Sequence, residues 1–376
     1  MSVSLAVFGL GIPFAAPATP TTGDPIDPVD YRCKIISIEE NSGHPFSSEL
    51  LEGLLIEPAG PRLRVATFDV NLTAASPGAL AIKLAGGNHP HAQQVAAAIQ
   101  ESDADILLLT GMDADEDAVR IFNDEYLNHA RTEGRATDYP HRYVGPSNKG
   151  VQSGADLDQD KIIGSPVDAW GSGEFPGQGS MVLLSKHPIE QERIATLTQL
   201  RWADMPDSRI SEAQLSEAVA SAMPVMESAL WDVPVTVAGQ EIRVIATQID
   251  AAHADTEYAG PRRLDQLNAI GDWISAEDYL RGDHGVLPAG EGSYVVVGEL
   301  GQGAGQNTSI DQLLETIGVA EQGVHNESHY ILPDTDLEIQ RHGSIPVAPA
   351  PGSAVNDGSP TVTGSNPGLL FSELKF

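Results

Sequence analysis

Asp105-Ile-Leu-Leu-Leu-Thr110 is a short, continuous apolar run closed by polar residues, and it requires a layered fold. A run of this length reads as a β-strand, and a strand apolar at consecutive positions needs cover on both faces. The neighbouring segments provide the layers. Leu63–Val70 alternates as a strand, and His91–Gln100 has a helical pattern. Further strands are expected at Met181–Ser185, Val233–Val237, Ile242–Thr247, Tyr294–Val297 and Leu369–Leu374, with helices at Pro261–Ile274 and Ile310–Ile317. From Leu63 onward the chain is α/β in pattern.

Ahead of this region the composition changes. Residues 1–30 read as a leader and linker, of which 12–30 are rich in Pro, Thr, Asp and Gly. Residues 31–60 read as a small appendage with strands at Cys33–Ile38 and Leu51–Ile56, and 61–376 as the main domain. Met1–Ala18 is apolar like a secretory signal, yet it has no basic n-region, is broken by Pro13 and is too short to span a bilayer as a helix. The expectation is a secreted, cell-surface or periplasmic protein without a membrane span. Thr137–Gly179 has no periodicity and is dominated by Gly, Pro, Ser and Asp, so it reads as a long loop. Loops of that length inside a domain are binding surfaces or are stapled by ions.

Charge narrows the partners. With 53 acidic against 21 basic residues the formal charge is −32, and no run of Lys or Arg interrupts it. Such a field repels phosphate backbones, so nucleic acid is disfavoured as a partner. The single cysteine, Cys33, excludes an internal disulfide framework.

Five segments carry a more specific message: Arg64-Val-Ala-Thr-Phe-Asp69-Val, Leu107-Leu-Leu-Thr-Gly111-Met-Asp113, Gly177-Gln-Gly-Ser-Met-Val-Leu-Leu-Ser-Lys-His-Pro188, Val297-Gly-Glu299-Leu-Gly301 and Ser328-His329-Tyr-Ile-Leu-Pro333. Between them stand Ser147–Asp160, Asp168–Gln178, Arg201-Trp-Ala-Asp-Met-Pro206, Trp231-Asp-Val-Pro-Val235 and Gly260-Pro-Arg-Arg263. In this order the set resembles the endonuclease/exonuclease/phosphatase superfamily with its DNase I-like fold, and within it a secreted bacterial branch. The resemblance implies a four-layer α/β sandwich: two mostly antiparallel sheets flanked by helices. It also implies a site in which strand-borne acids and an Asp-His pair hold divalent metal around a phosphate, because phosphoryl transfer concentrates negative charge that cations and donors must neutralise.

The residues at those positions are different ones. The strand that should end Phe-Asn-Val ends Phe68-Asp69-Val70, placing a charge where the family has an amide. Gly111 stands for the metal-binding glutamate, and Gln248 for a histidine. Gly298-Glu299-Leu300-Gly301 replaces Gly-Asp-x-Asn, and His329 replaces the Asp before Tyr-x-Leu-Pro. Ser365-Asn366-Pro367 replaces Ser-Asp-His, removing an acid, a ligand and a base together. Glu174 and Gly179 likewise replace an Arg and a Tyr beside the Phe-Pro-Gly-Gln segment. Losses in such a cooperating unit each cost orders of magnitude in rate.

Two candidate metal sets survive. Asp69, Glu299 and His329, with Asp113, would be the remnant of the cleft and could hold residual Mg²⁺. Asp156, Asp158 and Asp160 have the one-three-five spacing of a calcium loop, although Lys161 stands where an EF-hand turns on Gly. Asp113, Asp115 and Asp117 repeat that spacing but sit where acids cap a helix; His89 and His91 are read as capping or surface residues, and His253 as a loop residue. The expected function is therefore a non-catalytic relative, a pseudoenzyme retained as a scaffold for a protein partner or for self-association. The alternative is a divergent metal-dependent phosphoester hydrolase working through Asp69, Glu299 and His329.

Overall fold

β2 (Ile106–Met112) is buried at every residue but Gly111, as its apolar run demands. The structure is a computed structural model that describes residues 60–130, 135–249, 253–288, 292–301, 310, 313, 323–326, 328–347 and 368–376. The leader, the appendage strands, all of the expected helix Ile310–Ile317 except Ile310 and Leu313, and Asn366 and Pro367 lie outside the described residues.

β2 sits inside a six-stranded sheet of order β11-β12-β1-β2-β4-β3. Its companions are β1 (Arg62–Leu72), β3 (His141–Tyr143), β4 (Ser180–Ser185), β11 (Glu338–Ile345) and β12 (Leu369–Lys375). A second six-stranded sheet has the order β5-β6-β7-β8-β10-β9. It is built from β5 (Ala195–Leu197), β6 (Leu230–Val237), β7 (Gln240–Gln248), β8 (Tyr294–Glu299), β9 (Val324–His325) and β10 (His329–Pro333). Each sheet has one parallel pair, β1 with β2 and β7 with β8; the other neighbours are antiparallel.

Alternation along the strands sorts the apolar residues into three layers of contact. Leu63, Val65, Ile106 and Leu108 of the first sheet meet Val233, Val244, Val295 and Ile331 of the second. Ala66, Leu107, Leu109 and Val182 point the other way, toward α1 (Ala79–Leu84), α2 (Pro90–Ser102) and α3 (Glu116–Phe122). Outside the second sheet, Leu230, Ile245, Val296 and Leu332 pack with Leu267, Ile270 and Trp273 of α5 (Ala259–Ile274), which follows the short α4 (Glu217–Ala222) in the chain. This is the four-layer sandwich, and the period of two along each strand produces it.

The helices begin and end for local reasons. His89 caps α2 by accepting from Ala92 N, Pro90 occupies the first turn, and Asp103 closes the helix in the left-handed region. Asp115 caps α3, taking the N–H groups of Asp117 and Ala118, so the acidic triplet there serves the helix dipole. Buried polar side chains on α5 are tied to their surroundings: Asp265 accepts from Trp202 Nε1 at 2.6 Å, and Arg262 donates to Val225 O and Trp170 O. Of the described residues, no helix is long and apolar enough to cross a membrane.

Candidate functional site

The two parallel pairs bring the ends of β1, β2, β7 and β8 to one end of the sandwich, where β10 begins. Asp69 is in register with Thr110, Gln248 with Glu299, and Glu299 with His329. Thr110 Oγ1 lies 3.1 Å from His329 Nε2, a hydrogen bond that ties one sheet to the other at this end.

At the first sheet the register slips between Asp69 and Leu72, and again between Leu109 and Met112. Gly111 adopts φ +66°, in the left-handed region that a side chain disfavours. A Cβ on Gly111 would fall on Asp69 Oδ1 and stand 3.2 Å from Asn71 N. Asp69 Oδ1 in turn accepts the Asn71 N–H at 3.2 Å. The Asp69 carboxylate therefore fills the space that a side chain on residue 111 would need. Gly111→Ala is expected to cost about 3 kcal/mol, from the left-handed backbone and the overlap together. Adding Asp69→Ala should return the overlap share only, so urea unfolding of the double variant should fall between wild type and Gly111→Ala.

The second sheet repeats the pattern. Gly301 has φ +81°, and a Cβ there would stand 2.6 Å from Arg263 Nε. Arg263 donates from Nε to Leu300 O and from Nη2 to Gly301 O. The guanidinium thus lies where the resemblance places an asparagine side chain.

His329 is 2% exposed, and both ring nitrogens face hydroxyls: Nε2 that of Thr110, Nδ1 that of Ser328 at 3.1 Å. Its backbone N–H goes to Asn326 Oδ1. Burial lowers its pKa to about 4, so the ring is neutral at physiological pH. Gln248 Nε2 donates to Gly179 O at 3.2 Å, joining β7 to the start of β4. Asp113, 2% exposed, accepts from Ala74 N with one oxygen and from Gly179 N with the other. Burial raises its pKa more than those two bonds lower it. It straps the loop after β1 to the start of β4.

His91 and His253 are also tied to backbone. Their Nε2 atoms lie 2.7 Å from Val70 O and 3.0 Å from Val167 O respectively.

Among the described residues, the ligand atoms of Asp69, Glu299 and His329 do not gather into an ion-sized group. One such group does form: Asp156, Asp158 and Asp168, with ligand atoms within 4.8 Å of one another. Asp160, expected as the third member, is not in the group, and its Oδ1 accepts from Ile162 N at 2.7 Å. Asp168 takes its place from twelve residues beyond Asp156, across the loop. It is fully buried and accepts from Leu157 N, Gly164 N, Ser165 N and Ser165 Oγ. Burial alone would raise its pKa, but these bonds outweigh it and hold the carboxyl below its ordinary value. Asp158 is pushed up by desolvation first and by its acidic neighbours Asp160 and Asp168. Carboxylate oxygens are the donor type that hard cations such as Ca²⁺ take.

The same loop borders the strand ends. Gly177 N donates to Lys149 O, Ala114 N to Gly177 O, and Gln178 Nε2 to Ala74 O. Sequence reading placed Asp168 in this loop without a role, although Ser165-Pro-Val-Asp168 has a capping-box spacing that signals it. For Arg263 no such signal exists, since its contact runs from a helix to a strand end.

A profile described as Endonuclease/Exonuclease/phosphatase family matches residues 68–281, more than half of the chain. No curated protein matches. Among solved structures, the human Nocturnin catalytic domain with bound sulfate is 10% identical, covering 84% of this chain and 95% of that one, with a TM-score of 0.46. A family protein from Bacteroides thetaiotaomicron is 13% identical over 85% of this chain and 99% of its own, TM-score 0.44. Sphingomyelinase C from Streptomyces griseocarneus is 15% identical over 83% and 99%, TM-score 0.41.

Proposed function

Because the chain belongs to the endonuclease/exonuclease/phosphatase family, we propose that it is a non-catalytic member whose sandwich serves as a scaffold for a protein partner or for further copies of itself. One observation carries this reading: where family side chains are missing, neighbours have moved in. Asp69 fills the space beside Gly111, and Arg263 the space beside Gly301. A site that had merely lost ligands would keep room for them.

The remaining groups do not fit the family's metal. Gly111 offers no ligand, His329 has hydroxyls on both nitrogens, and Asp113 spends both oxygens on backbone N–H groups. A neutral buried imidazole is also a poor proton carrier at pH 7, since its pKa of about 4 leaves almost none of it charged. The −32 charge favours proteins over nucleic acid as partners. Export to the cell surface or beyond belongs to the same proposal, on the strength of the apolar leader.

The test is hydrolysis of bis(p-nitrophenyl) phosphate and p-nitrophenyl phosphate with Mg²⁺, Mn²⁺ or Ca²⁺. No release above the buffer rate is expected with any of them. Metal-stimulated turnover that disappears in Glu299→Ala would overturn the proposal and establish the hydrolase alternative. Sedimentation of the full chain addresses assembly, where concentration-dependent association is expected.

A further inference from the structure

A cavity of about 450 Å³ opens on the outer, helix-covered side of the second sheet. Among the described residues, none that lines it belongs to the strand-end set. Its floor is apolar, formed by Met205 (5% exposed) and Leu267 (1% exposed). Its size lies within the range of small-molecule sites, which combine an apolar body with a few convergent polar groups.

The polar groups here have one sign. Arg209 lines the cavity, but its charge is already met by Asp265, a fully buried carboxylate 2.8 Å away. Asp207, Asp272 and Glu277 also line it, and no Lys or Arg pairs with any of them among the described residues. Asp272 lies in the last turn of α5, which has no basic residue to offset the negative end of the helix dipole. Tyr279 adds an aromatic wall, its hydroxyl donating to Asp272 Oδ2 at 2.6 Å. Burial first, then Asp272 and the nearby charges of Glu277 and Asp265, push that phenol up, so it stays a protonated donor.

An apolar floor, an aromatic wall and uncompensated carboxylates together select a particular ligand. An anion meets the carboxylates, a neutral apolar molecule leaves them unpaired, and a bare metal ion makes no use of the floor. We propose that the cavity binds an organic cation with an aliphatic body, an alkylammonium or alkylguanidinium compound, its head between Asp272 and Glu277 and its chain on Met205 and Leu267.

The probe is n-hexylammonium chloride, titrated calorimetrically into the full chain at fixed ionic strength of about 0.15 M, where long-range screening is strong. Sodium hexanoate of the same chain length is the comparison. Saturable binding of one hexylammonium per chain is expected, with no saturable heat from hexanoate. Glu277→Gln, at an exposed position, should weaken binding about threefold, and Asp272→Asn/Glu277→Gln about tenfold or more. Glu101→Gln, at an exposed position on α2, should change nothing. Absence of saturable hexylammonium binding overturns the proposal. So does equal binding of hexanoate, or an unchanged affinity in Glu277→Gln and the double variant.

Discussion

Asp168→Ala is expected to lower the unfolding free energy by about 4 kcal/mol. The carboxyl is wholly buried and collects the N–H groups of Leu157, Gly164 and Ser165 with the Ser165 hydroxyl. Removing it orphans several donors at once, and an unmet buried donor costs more than a hydrogen bond contributes. Asp168→Asn keeps one acceptor oxygen and should lose about half as much. Urea unfolding at pH 7 measures both, and a loss under about 1 kcal/mol for the alanine variant would mean the loop is held by something else. The effect should reach the strand ends, because Gly177 and Gln178 of the same loop hydrogen-bond to Lys149, Ala114 and Ala74. Limited proteolysis should therefore cut the variant between 156 and 179 faster than wild type.

The sign of the pH dependence follows from the shift. Asp168 has a folded pKa below its unfolded value. Its contribution is complete above the unfolded pKa near 4 and is lost as pH falls through the lower, folded one. Acid unfolding from this loop therefore belongs to the region under pH 4.

Much of the sandwich is legible in the chain because its central strands are buried on both faces. Leu107 and Leu108 point to different layers and both must be apolar. β11 was not legible for the opposite reason. Glu338-Ile-Gln-Arg-His-Gly-Ser-Ile345 lies at a sheet edge, mostly exposed, and neither face imposes a strict alternation. α1 spans six residues, fewer than two turns, too few to establish a helical period. At the strand ends, Gly111 and Gly301 can be read directly as departures from the pattern that the resemblance implies. What occupies the freed space cannot, since it depends on where Asp69 and Arg263 point. The acid triplet in the loop was half legible: Asp156 and Asp158 are close because they are near in sequence, whereas Asp168 arrives by a loop closure that spacing does not encode.

His329 carries the second large effect, and it acts in a different pH window. The ring is 2% exposed, with a folded pKa of about 4 against 6.5 for the free side chain. A folded value below the unfolded one means that the unfolded chain binds the extra proton between those two pH values. Stability from this group is therefore complete above pH 6.5 and is lost as pH falls toward 4. At 1.36 kcal/mol per pKa unit the loss approaches about 3 kcal/mol by pH 4. His329→Asn removes the titrating group while keeping a polar side chain beside the Thr110 and Ser328 hydroxyls. It should be less stable than wild type at pH 7, by about 1–2 kcal/mol for imperfect packing. Its stability should then fall less steeply between pH 6.5 and 4, so the two curves cross before pH 4. Urea unfolding at pH 7, 6, 5 and 4 measures the difference, and parallel curves would mean the imidazole is charged or exposed in the folded protein. The same outcome would weaken the non-catalytic reading, because a histidine that protonates freely at the strand ends can carry protons there. Crossing curves instead identify it as a neutral brace between the sheets, bonded to a hydroxyl on each side.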